Sequence, residues 1–133
     1  MQKSSRAAVR TSRAPEPVGP YSQAYRAGSF LFLSGQIPLD PVTGQLVTES
    51  IEAETQRVLD NLKAVLEAEG LTLADVVKTT VYMTDLTAFP RMNEVYAKAF
   101  GSHAPARATV QVAALPKAAR VEIDAIAHFE EAK

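Results

Sequence analysis

Seven positions spaced by three and four residues, Ile51, Thr55, Val58, Leu59, Leu62, Val65 and Leu66, constrain this chain more than any other feature. Such spacing draws a single buried stripe along a helix. Ser50 stands where an N-cap belongs, Glu52 and Glu54 complement the positive end of the helix dipole, and Gly70 supplies a left-handed stop. A second stripe, Phe89, Met92, Tyr96 and Phe100, predicts a helix over 88–100, capped by Thr87 and ended by Gly101. Each stripe needs an apolar surface, and the remaining segments read as strands. Asp75 to Met83 is rich in β-branched residues and predicts a central strand. Ser22 to Ser34 predicts a hairpin: one strand to Arg26, a tight turn at Ala27-Gly28-Ser29, and an apolar strand, Phe30 to Leu33, buried on both faces. Asp40 to Gly44 reads as a turn and Gln45 to Thr48 as a short edge strand. With two more strands after the second helix, both helices must share one face of one sheet, which makes the fold an α+β two-layer sandwich.

Those last two strands lie within Pro105 to Ala127 and alternate as a pleat requires. Ala108, Val110 and Val112 share one side of the first, and Arg107, Thr109 and Gln111 the other. Val121, Ile123 and Ala125 share one side of the second, and Glu122, Asp124 and Ile126 its opposite. Arg107 and Glu122 are therefore expected to meet on the polar side of the sheet, the side the helices leave bare. Two readings stay open: a solvated outer face, or the wall of a site that an oligomer encloses.

A length of 133 residues fits one domain. Residues 1–14 hold Lys3, Arg6, Arg10 and Arg13 and no acid; subtracting these 4 from 14 basic groups leaves 10 against 15 acidic ones, a body of net −5. An acidic body argues against tight binding of a nucleic acid backbone. Residues 1–17, basic and then proline-rich, are expected to form a flexible leader ahead of a single domain over 18–133. There is no cysteine, hence no disulfide, thiolate metal site or cysteine nucleophile. No apolar run is long enough for a membrane span and the start lacks the core of a secretory signal, so a cytoplasmic protein without a membrane partner is expected.

Dinucleotide and P-loop glycine patterns are missing, and His103 and His128 stand apart without a ligand pattern, so no metal site is expected. What remains is Arg107, suited to hold a small carboxylate by two parallel bonds, and Glu122, suited to orient or deprotonate water. The backbone at Ser34-Gly35-Gln36 and the ring of Tyr21 can line the rest. Residue chemistry alone leads to a carboxylate-binding crevice.

At these residues the sequence resembles the Rid family, the reactive intermediate deaminases once called YjgF proteins, in its RidA branch. The resemblance rests on Gly19-Pro-Tyr-Ser-Gln-Ala24, Ser34-Gly-Gln-Ile-Pro38, Thr79-Thr-Val-Tyr82 with Asp85-Leu86, Met92-Asn93, Pro105-Ala-Arg-Ala-Thr-Val110 and Val121-Glu-Ile-Asp-Ala-Ile-Ala127. It implies a chorismate mutase-like fold, a homotrimer with clefts between subunits, and hydrolysis of 2-imino and 2-enamino acids, such as 2-aminoacrylate, to 2-keto acids and ammonia without a cofactor. It also implies that Arg107 grips the substrate carboxylate, that Glu122 attends the hydrolytic water, and that Tyr21, Ser34 and Asn93 shape the site beside Gly35 and Thr109. Two departures stand out: the Gly101 to Ala104 link looks shorter than in many members, and Thr109 stands where some carry cysteine. A carboxylate-binding regulatory trimer without turnover, and a ribonuclease or translation inhibitor, remain as alternatives.

Overall fold

The computed structural model describes residues 6–130. Eight elements follow one another: β1 Arg6–Val9, β2 Ala24–Ala27, β3 Phe30–Gln36, α1 Ile51–Ala68, β4 Val76–Met83, α2 Phe89–Phe100, β5 Ala106–Gln111 and β6 Val121–His128. The strands form one sheet in the order β1-β2-β3-β6-β4-β5, in which only β4 and β5 are parallel. Both helices cover the same face, as the two stripes require. Val58, Leu59, Leu62, Val65 and Leu66 of α1 are buried against Leu31 and Leu33 of β3 and Val121, Ile123 and Ala125 of β6, with Met92 of α2 closing the layer. Truncating such a side chain to alanine costs about 2–5 kcal/mol, which explains the strictness of the pattern.

The helix signals act as expected at α1. Ser50 Oγ accepts from Ala53 N–H at 3.0 Å, and the chain leaves the helix through Gly70 at φ 75°. At α2 the capping differs. Thr87 lies inside a 3-10 turn over Leu86–Ala88 that Asp85 caps, and α2 starts after Ala88 with Pro90 in its first turn. Pro90 needs no hydrogen-bond acceptor there, so a proline replaces the side-chain cap. The β2–β3 hairpin turns through Gly28-Ser29, with Gly28 at φ 63° as primed turns demand.

Three expectations require correction. Residues 6–17 are not a leader: β1 pairs with β2, Val9 and Ala14 are buried, and the domain thus begins upstream of residue 18; residues 1–5 lie outside the described residues. Apolar Val9 and Ala14, interleaved among the charges, supply the burial that a count of charge overlooks. Strand β3 is buried on one face only, because Phe30 and Phe32 project to the side without helices and are 42% and 46% exposed. Gln45–Thr48 makes a single bridge, Leu39 to Leu46, since the Asp40 turn and the Ser50 cap leave too few residues for a ladder.

Among the described residues no helix is long and apolar enough to cross a membrane.

Candidate functional site

Strand register decides where Arg107 points. β5 pairs in parallel with β4, placing Arg107 opposite Thr79 and Thr109 opposite Val81, both fully buried on the helix side. Arg107 and Thr109 therefore face the helix layer at the sheet edge, beneath α2. Asn93 Oδ1 accepts a hydrogen bond from Arg107 Nη1 at 2.7 Å. The guanidinium carbon lies 4.7 Å from the Tyr96 ring centroid and 5.4 Å from that of Phe89, within the range where a ring face attracts a cation. Tyr96 is fixed in turn by a 2.7 Å hydrogen bond with the buried Thr79 hydroxyl. The cation opens onto a groove of about 480 Å³ lined by Leu86, Phe89, Arg107 and Thr109. In that setting Thr109 Oγ1 is buried and has no hydrogen-bond partner among the described residues. An unpaired buried hydroxyl costs about 1–3 kcal/mol, a cost that a polar ligand relieves.

Glu122 occupies the opposite face. It stands on β6 across from Tyr82 of β4, while its neighbours Val121 and Ile123 point into the core. Its carboxylate lies across the backbone of Gly35: a Cβ on that glycine would overlap Glu122 Oε2 and come within 2.9 Å of its Cδ. Glycine is the residue that permits this approach. Burial, and then the nearby Asp124 charge, push the Glu122 carboxyl above the usual range. Tyr82 donates to Asp124 Oδ2 at 3.1 Å, and desolvation followed by that bond raises the Tyr82 hydroxyl pKa, keeping it a neutral donor. Ser34 precedes Gly35 and is held by its Oγ, which donates to Ser22 O at 2.6 Å. Tyr21 shares a small recess with Gly35 and accepts from Val18 N–H at 3.3 Å through its hydroxyl.

The residues singled out from sequence thus form two half-sites. Arg107, Thr109 and Asn93 make one, and Glu122, Gly35, Ser34 and Tyr21 make the other. The expected meeting of Arg107 with Glu122 on one polar side does not occur within the chain. Alternation holds along each strand, but β4 separates β5 from β6, and its parallel pairing with one and antiparallel pairing with the other sets their relative phase. Gln111, expected beside them, is occupied elsewhere, its Oε1 accepting from Leu86 N–H at 2.8 Å. Phe89 and Tyr96 were legible only as core. Their partnership with Asn93 carries a signal nonetheless, since positions 89, 93 and 96 are spaced by four and three on one helix face.

An arginine on an aromatic bed beside an unpartnered hydroxyl, carried on the last strand of an α+β sheet, is an arrangement chemically able to hold a small anion. The chain belongs to the Rid family: residues 11–129 match the family model described as endoribonuclease L-PSP. A RutC family protein of Pyrococcus horikoshii is 55% identical over 90% of this chain and 95% of its own. Human 2-iminobutanoate/2-iminopropanoate deaminase is 45% identical over 92% of this chain and 89% of its own. The crystal structure of RidA from an Antarctic Psychrobacter superposes with a TM-score of 0.90 at 45% identity, covering 93% of this chain and 100% of that one.

Proposed function

We propose that the protein hydrolyses 2-imino and 2-enamino acids, with 2-aminoacrylate among them, to 2-keto acids and ammonia in clefts between the subunits of a homotrimer. The observation that carries this reading is the oriented Arg107 cation beside the orphan Thr109 hydroxyl. Human and other deaminase relatives agree with it. Because Arg107 and Glu122 occupy opposite faces of one sheet, one chain supplies Arg107 and a second copy supplies Glu122. The helix-free face suits such packing. Tyr25, Phe32 and Ile126 form a row across β2, β3 and β6 there, and Tyr25 and Phe32 are nearly half exposed.

In this mechanism Arg107 holds the substrate carboxylate by parallel N–H donors. Water held by Glu122 adds its oxygen to C2, and the carboxylate takes a proton from it. The C=N π pair moves onto nitrogen, which takes that proton back from Glu122 to give a carbinolamine. The hydroxyl proton then passes by way of the same carboxylate to nitrogen, C2–O becomes a carbonyl, and the C2–N bond breaks to release ammonia. An enamine first gains a proton at C3 to become the imine. Imines already react with water, so orientation and charge placement supply the acceleration.

The test is pyruvate formation from 2-aminoacrylate generated by a serine dehydratase. Wild type is expected to accelerate it and Arg107→Ala not to; equal rates with both proteins, or none, would overturn the proposal. Ribonuclease activity is the other reading that the family description raises, and the acidic body counts against it.

A further inference from the structure

Gln23 is only 2% exposed, yet its amide makes four hydrogen bonds, all to one stretch of backbone. Its Oε1 accepts from Thr11 N–H at 2.7 Å, and its Nε2 is directed at the carbonyls of Pro15 at 2.8 Å, Thr11 at 3.0 Å and Ala14 at 3.3 Å. The backbone around Gln23 reaches the other way. Gln23 O accepts from Ser34 N–H at 3.0 Å, and Ser22 O accepts from the Ser34 hydroxyl. Ser34 and Gly35 need this support. A bulge breaks the β3–β6 register between Leu33 and Gln36, so Ser34 and Gly35 fall outside its regular pairing. Glu122 rests on that bulge, and Pro15, Val18, Tyr21, Gln23 and Gly35 line one recess.

We infer that Gln23 is a positioning residue for the Glu122 half-site, and that residues 11–15 are part of the frame it holds. The inference builds on the deaminase reading. The clamp fixes the Ser22–Gln23 backbone, which fixes Ser34 and the Gly35 shelf, and with them the path of the Glu122 carboxylate. Arg107, Asn93 and Thr109 stand on other elements and take no part in it. Loss of the clamp therefore affects turnover, not capture of the carboxylate.

Gln23→Met keeps the length of the side chain and removes all four bonds. It is expected to lower kcat about 10-fold or more while KM, and the affinity for a non-reacting 2-hydroxy acid such as lactate, stay within about twofold of wild type. Amide exchange at Ser34 and Gly35 is expected to quicken. Should Gln23→Met fail to fold, Thr11→Pro removes the N–H that donates to Oε1, along with the Thr11 hydroxyl that accepts from Arg13 N–H, while leaving Gln23 itself in place, and a smaller change of the same kind is expected. Unchanged kcat, or kcat and lactate affinity falling together, would overturn the inference. If wild type itself shows no deaminase activity, the deaminase reading fails and exchange becomes the judge: unaltered protection of Ser34 and Gly35 in the variant would then sink the clamp as well.

Discussion

Replacing Gly35 by alanine puts one methyl group where the Glu122 carboxylate now lies. The new Cβ would overlap Oε2 and stand 2.9 Å from Cδ, closer than real Cβ contacts allow. Gly35 is not among the glycines at positive φ, so its backbone accepts alanine without strain. The colliding atoms end a flexible side chain on the face without helices, and the clash is relieved by swinging the carboxylate aside. Overpacking costs about 1–3 kcal/mol, the lower figure applying where a flexible side-chain end gives way. Alanine returns roughly 0.4–1 kcal/mol by restricting the unfolded chain, which leaves a net cost of no more than about 1 kcal/mol. Over 133 residues, an unfolding entropy of about 2.1 cal/mol/K per residue turns 1 kcal/mol into a shift of about 4 °C, an upper bound on the expected change in Tm. Turnover is far more sensitive, because displacing a catalytic group by about an ångström costs on the order of 10²-fold. Thermal unfolding and the coupled pyruvate assay, run on one preparation, separate the two effects. Full activity in Gly35→Ala would refute the placement of Glu122 as the reason for this glycine, and a drop in Tm beyond about 10 °C would show that the glycine serves the fold instead.

Other outcomes follow from other parts of the molecule. Ala118 is exposed and held at φ 60° in the β5–β6 connection, so Ala118→Gly is expected to stabilise by about 1 kcal/mol, read as a Tm rise of a few degrees. Arg120 pairs with Glu54, whose side chain is 1% exposed, and Arg120→Ala strands that buried carboxylate at a cost of about 3 kcal/mol, measured by urea unfolding. The raised Glu122 pKa places the acid limb of kcat/KM above the ordinary glutamate value of 4.5, and Asp124→Asn is expected to move the limb down in pH. The same raised pKa favours the folded state only below the unfolded value and loses that contribution as pH rises through the folded one, so Glu122→Gln is expected to raise Tm at neutral pH while abolishing turnover.

The stripe from Ile51 to Leu66, the central strand up to Met83 and the helix ending at Gly101 were legible because their signals are local: spacing, β-branching and a left-handed stop. Gly35 was legible as a place of close approach, though not for which side chain. The facing of Arg107 was not legible, since it depends on pairing Thr79 with Arg107 rather than with a neighbour one residue away, and a single-residue slip reverses every side chain. Order in residues 6–17 was hidden for a related reason: its holdfast is the Gln23 amide, a long-range set of bonds to backbone that leaves no mark on the composition of the segment it holds.

Subunit mixing tests most directly the claim that Arg107 and Glu122 act together only across two chains. Arg107→Ala and Glu122→Gln, each inactive alone, are unfolded together in equal amounts and refolded. With one cleft between each pair of neighbouring subunits and random assembly, about a quarter of clefts in a closed ring combine an intact Arg107 with an intact Glu122, so recovery of about a quarter of wild-type activity is predicted. Activity that stays at the level of the separate variants would contradict the account, because a site built within one chain always carries one of the two defects.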